Sequence, residues 1–198
     1  AGFARGHQTF SMKLVPTRED LIQELVQPGM VGAEIGVYRG GFSRKLAERG
    51  VSMLYAIDAW ARYKEYEKDS LCHTNQEDNF QATKRELAQW IDAGKCEVIR
   101  STSLNAAMAW VIPLDFLFLD SNHAYEFVHD DLKAWEPYIK PDGVIMCHDF
   151  TETSAGAIQM GFGVVRAVNE FCEQHGWEIT HVTQEPDWPS CALRRKFL

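Results

Sequence analysis

Five short apolar runs are separated by stretches of helical periodicity: Val31 to Gly36, Met53 to Ile57, Cys96 to Arg100, Phe116 to Leu119 and Val144 to Cys147. Runs this short and this uniformly apolar read as strands buried on both faces. Strand and helix alternate five times, and that order predicts a parallel sheet covered by helices on both sides. The helices carry their own signals. Thr17-Arg18-Glu19-Asp20 sets a hydroxyl at the cap with a carboxylate three residues on, ahead of Leu21, Ile22, Leu25 and Val26. Phe42 to Arg49, Phe80 to Ile91, Leu104 to Val111, Tyr125 to Ile139 and Val164 to Gln174 follow, several of them closed by Gly or Pro-Asp-Gly. Trp177 to Val182 and Cys191 to Lys196 read as two last strands. Their short connection, with Pro186 and Pro189, makes one of them antiparallel. The expectation is an α/β fold with a doubly wound, mostly parallel, Rossmann-like sheet of seven strands.

The length of 198 residues suits one domain, expected over residues 12–198. Residues 1–11, ahead of Met12, read as an expression remnant or a disordered start. A net charge of −8 repels phosphates, which argues against nucleic acid as the main partner. Arg194, Arg195 and Lys196 read as a solvated strand end. No apolar run approaches the ~20 residues needed to cross a bilayer, and no leader pattern opens the chain. The five cysteines are scattered without a CxxC, as reduced thiols in a cytoplasmic protein are, rather than as a disulfide frame or zinc site. A small molecule is the expected partner, with no nucleic acid or membrane. A homodimer is left open.

In an open parallel sheet, ligands bind beyond the carboxyl ends of the strands. The five strands close on Glu34-Ile35-Gly36, Asp58, Ser101, Asp120 and His148-Asp149. Polar or acidic groups therefore gather on one edge. After Glu34 the chain runs Gly36-Val37-Tyr38-Arg39-Gly40-Gly41, a turn whose glycines allow positive φ and close approach of backbone to a ligand. The GxGxxG spacing of dinucleotide enzymes is missing. Residues 59 to 78, with Trp60, Tyr63 and Tyr66, read as a lid or binding loop, its aromatic rings either covering a ligand or packing as an ordinary lid.

Glu34, Gly36 and Gly40 in the form E-x-G-x-x-x-G resemble motif I of class I S-adenosylmethionine-dependent methyltransferases. Asp120-Ser121-Asn122-His123-Ala124-Tyr125-Glu126 resembles the D-x-x-H-x-Y-E signature of the methyltransferase 24 family. Lys140-Pro141-Asp142-Gly143, His148-Asp149 and Gly163-Val164-Val165-Arg166-Ala167-Val168 match further on. The resemblance covers residue 29 to about 180. It implies a methyltransferase that binds S-adenosylmethionine, with the Gly36 turn behind the amino-acid part of the cofactor. It also implies that Asp58 accepts both ribose hydroxyls, which suits a carboxylate facing a vicinal diol. Ala59, Trp60, Ser101 and Asp120 complete the expected cofactor set.

Related metal-dependent small-molecule and sugar O-methyltransferases hold a divalent cation with residues matching Asp120, His148 and Asp149. His148 departs from the acidic residue usual there. Oxygen ligands suit Mg²⁺, and an imidazole in the set tilts the choice toward Mn²⁺, Fe²⁺ or Zn²⁺. The same aspartates are also read as partners of helix N-termini. His123, three residues after Asp120, matches the general base of the sugar enzymes, with Asp120 beside it in the catalytic pair. It reads equally as a cap for the helix starting near Ala124. The expected function is O-methylation of a small-molecule or sugar hydroxyl. The alternatives are a nucleotide-binding oxidoreductase on the same sheet and a degenerate, non-catalytic binding protein.

Overall fold

A computed structural model describes residues 12–62 and 70–196. The expected remnant at 1–11, and Tyr63 and Tyr66 of the expected lid, lie outside the described residues. The strands are β1 (Lys13–Val15), β2 (Val31–Ile35), β3 (Met53–Asp58), β4 (Cys96–Arg100), β5 (Leu114–Leu119), β6 (Ile139–Cys147), β7 (Trp177–Thr183) and β8 (Cys191–Arg195). The helices are α1 (Arg18–Leu25), α2 (Gly41–Ala47), α3 (Gln76–Glu86), α4 (Ala88–Asp92), α5 (Ser103–Met108), α6 (Tyr125–Trp135), α7 (Ala155–Met160) and α8 (Val164–His175).

The strands form one sheet in the order β1-β7-β8-β6-β5-β2-β3-β4. Only β8 runs against its neighbours, inserted between β6 and β7, as the short connection between the last two strands requires. The sheet has eight strands rather than seven. The addition is β1, an edge strand that pairs in parallel with β7 through Lys13 to Val15. Only one of its three residues is buried, so it lacks the apolar run by which the other strands are recognised.

Period-two alternation sorts strand residues onto two faces. Ile35, Ile57, Leu117, Leu119 and Ile145 pack under α5, α6 and α8. Leu54, Ala56, Phe116, Phe118 and Met146 pack under α1, α2 and the α3–α4 pair. Thr17 caps α1 through a reciprocal capping box with Asp20, which fixes where Arg18 begins the helix. Three boundaries differ from expectation. The single helix read over 80–91 begins earlier, at the Asn75 cap, and breaks at Leu87. The stretch between the Val144–Cys147 run and the Val164 helix, for which the sequence pattern predicts no element, contains α7, capped by the Ser154 hydroxyl. Pro141-Asp142-Gly143 lie inside β6 instead of ending a helix. There β8 pairs only with Ile145 to Cys147, so the ladder makes no use of a Pro141 N–H.

Candidate active site

The connections switch sides between β2 and β5, since β3 and β4 lie beyond β2 while β6 lies beyond β5. Such a point opens a crevice at the strand ends. Gly36 lines it with φ of 89°. A Cβ added there would land on the backbone carbonyl of Asp120, so only glycine lets the two strand ends close up. Tyr38, Trp60 and Asp149 are the non-glycine residues with positive φ among the described residues. They follow β2, β3 and β6. Backbone strain is therefore concentrated on the edge where the polar strand ends meet, as at many functional sites.

Asp58 stitches this edge together. Its Oδ2 accepts from the backbone N–H groups of Val37 (2.9 Å) and Tyr38 (3.0 Å), and its Oδ1 from that of Trp60 (2.8 Å). Glu34 lies fully inside, its carboxyl receiving the Ser43 hydroxyl from α2. Burial pushes its pKa up to about 8, against the pull of Ser43 and the more distant Arg18. Glu34 thus braces the start of α2 from beneath the turn. Gly40, with φ of 82°, is the residue that precedes α2. Trp60 is placed in the core rather than over the crevice. It is 1% exposed, its indole N–H donates to the Tyr38 carbonyl, and its ring packs on Phe80. Ala59 and Ser101 stand half-buried at the ends of β3 and β4.

Across the crevice, His123 Nε2 lies 3.1 Å from Asp149 Oδ2, with the two side chains 16% and 6% exposed. The imidazole is held edge-on by Phe162, 4.5 Å between centroids, and Phe162 in turn meets Trp188. His123 is no helix cap. Ala124 occupies that position without a side-chain bond, and Asn122 Oδ1 accepts the Ala124 N–H. Asp120, His123 and Asp149 bring one ligand atom each to within 4.8 Å of one another. His148 borders that group, its Nε2 3.6 Å from Asp149 Oδ1, but its hydrogen bonds go elsewhere. Its Nδ1 meets Ser190 Oγ at 3.0 Å and its Nε2 meets the Arg18 guanidinium at 3.1 Å. Burial, with the charges of Arg18 and His123 beside it, lowers its pKa to about 3. His148 is therefore a neutral imidazole that accepts from Arg18 and donates to Ser190.

Two further residues shape the site. Arg18, the first residue of α1, also stands 3.8 Å from Asp120 Oδ2. Asp131 of α6 is buried and accepts the Ser121 hydroxyl at 2.8 Å, which anchors the loop that carries Asp120 and His123. Burial lifts its pKa to about 6, against its hydrogen bonds from Ser103 and Ser121. Asp131 was legible: it sits on the apolar stripe of α6 formed by Val128, Leu132 and Trp135, where an unpartnered carboxylate is costly. Arg18 gave no such signal, because an arginine in a first helical turn is ordinarily solvated.

The methyltransferase 24 model, a methyltransferase domain, matches residues 33–150. The chain belongs to that family. It is a methyltransferase of the class that uses S-adenosylmethionine, and the turn built around Glu34, Gly36 and Gly40, which resembles motif I, lies within the matched residues. No curated protein matches the sequence. Solved structures share the fold. A Clostridium thermocellum protein described as an rRNA methylase superposes with a TM-score of 0.67 at 13% identity, covering 94% of this chain and 99% of that one. A Streptococcus mutans protein described as a methyltransferase, in complex with SAH, gives 0.61 at 12%, over 89% and 94%. A Staphylococcus aureus protein described as a caffeoyl-CoA O-methyltransferase gives 0.62 at 16%, over 89% and 80%. No helix among the described residues of this family member is long and apolar enough to cross a membrane.

Proposed function

We propose that this methyltransferase methylates a hydroxyl oxygen of a small molecule, with His123 as general base. The observation that carries the reading is the His123–Asp149 pair, 3.1 Å apart, facing the motif I turn across the switch point. The cofactor fits the edge opposite. Asp58 fills three of about four lone-pair sites with backbone N–H groups and stays part-exposed, which leaves acceptor capacity for a ribose hydroxyl. Bound S-adenosylmethionine supplies a methyl group already activated on a sulfonium.

The chain's own task is alignment and proton transfer. Asp149 accepts Nε2–H and fixes the tautomer, which leaves the Nδ1 lone pair to take the hydroxyl proton as oxygen bonds to the methyl carbon. The carbon–sulfur bond breaks as that bond forms, and its electron pair stays on sulfur. Phe162 and Trp188 form an aromatic wall beside His123 that favours a compact acceptor with an apolar face. The net charge of −8 weighs against RNA. The four cysteines free and buried among the described residues support a reducing, cytoplasmic setting. The test is transfer of labelled methyl to a panel of small hydroxyl compounds and to bulk RNA. Methyl ethers formed by wild type and lost in His123→Gln are expected. Labelled RNA with no labelled ether overturns the reading.

A second reading comes from the same three side chains. Asp120, His123 and Asp149 form a donor set of two carboxylates and one imidazole that fits a divalent cation such as Mg²⁺ or Mn²⁺. The two readings compete for His123, because an Nε2 given to a metal is lost to Asp149. Full turnover in EDTA supports the base; loss of activity restored by Mn²⁺ or Mg²⁺ supports the cation.

A further inference from the structure

Arg18 lies outside the residues that match the family model, 33–150, yet its guanidinium reaches the strand ends, beside His148 and Asp120. Three contacts fix it there. The Thr17–Asp20 capping box sets the start of α1. The Arg18 backbone N–H donates to Glu185 Oε2 at 3.1 Å. The guanidinium stacks on the Phe42 ring, with its central carbon 4.7 Å from the centroid. Stacking uses the face of a guanidinium and leaves its in-plane donors pointing outward.

Those donors are under-used for a positive charge. The one side-chain hydrogen bond Arg18 makes among the described residues goes to an imidazole nitrogen, His148 Nε2 at 3.1 Å. His148 is itself pinned from behind by Ser190, a buried residue whose backbone N–H donates to Thr183 Oγ1. The nearest carboxylate, Asp120, stands at 3.8 Å, beyond hydrogen-bond length. A pinned imidazole therefore holds one guanidinium N–H in place and leaves the other in-plane donors without a hydrogen bond among the described residues. That arrangement suits a planar anion arriving from outside, which a guanidinium binds with two parallel N–H donors.

The position says which anion. Phe42 belongs to α2, directly after the glycine turn, and the charge of Arg18 is felt at Glu34 of motif I. The aromatic wall of Phe162 and Trp188 lies with His123 instead. We propose that Arg18 binds the α-carboxylate at the amino-acid end of S-adenosylmethionine. This rests on the S-adenosylmethionine reading of the motif I turn and deepens it by assigning a residue from the N-terminal helix to the cofactor.

The test is calorimetric titration with two probes, S-adenosylhomocysteine and 5′-methylthioadenosine. The second keeps the adenosine and the sulfur but lacks the amino acid. Arg18→Gln is expected to weaken S-adenosylhomocysteine by about 10–100-fold and to leave 5′-methylthioadenosine within about twofold. Arg18→Lys, which keeps the charge but not the fork, is expected to fall between wild type and Arg18→Gln. Unchanged S-adenosylhomocysteine affinity in Arg18→Gln overturns the proposal and hands the guanidinium to an acceptor anion or to packing alone. A parallel loss of both probes also overturns it, since that is the mark of a purely structural role. Failure of wild type to bind either probe overturns the cofactor reading on which it rests.

Discussion

His123 Nε2 and Asp149 Oδ2 stand 3.1 Å apart across the ends of β5 and β6, and Asp149 holds this position at a φ of 57°. A strained residue that orients an imidazole is worth keeping when the imidazole works. His123→Gln is expected to lower kcat by roughly 10²–10⁴-fold while S-adenosylhomocysteine affinity stays near wild type. Asp149→Asn is expected to follow it in kcat, because the amide can select the wrong tautomer. Turnover and melting temperature measured on the same proteins check this. A lowered melting temperature with kcat intact would leave His123 a packing residue.

Glu34 makes stability depend on pH in an uncommon direction. Its carboxyl titrates at about 8 in the folded chain and near its ordinary value of 4.5 when unfolded. Between those values the folded chain binds the extra proton, so stability falls as pH rises through the window, by up to about 1.4 kcal/mol per unit. Glu34→Gln removes the titration. Melting curves from pH 5 to 8 should show the variant gaining on wild type as pH rises. Parallel curves would mean that Glu34 is ionised at neutral pH.

Gly36→Ala tests the closeness of the two central strand ends. The new Cβ meets the Asp120 carbonyl and must also hold a φ of 89°. A loss of at least about 2 kcal/mol of stability is expected, with cofactor affinity falling too because the motif I turn shifts. Chemical denaturation measures the first effect and calorimetry the second. Wild-type values for both would show that the turn has slack.

The chain states much of this in its own order. Alternating runs gave the layers, and the closing residues of the strands gave the edge where Gly36, Asp58, Asp120 and Asp149 gather. Local pattern is enough there because parallel strands point their ends the same way. What it could not give were contacts set by distant pairing. β1 has too little apolar sequence to announce itself. His148 is expected with the aspartates and does border Asp149, but Arg18 and Ser190, both far away in sequence, hydrogen-bond its two nitrogens, and His123 also joins the aspartates. Trp60, whose ring is expected either over a ligand or in ordinary lid packing, is drawn into the core by Phe80 and the Tyr38 carbonyl.

Calorimetric titration of S-adenosylhomocysteine into wild type and Asp58→Ala tests the cofactor site most directly. Asp58 joins the motif I turn to β3 through Val37 and Tyr38 and has acceptor capacity left for ribose. One-to-one binding in the micromolar range is expected for wild type. Asp58→Ala is expected to lose about 2–4 kcal/mol of binding. Equal affinity in the two proteins, or binding of NAD in place of S-adenosylhomocysteine, would contradict a cofactor held between the Gly36 turn and the end of β3.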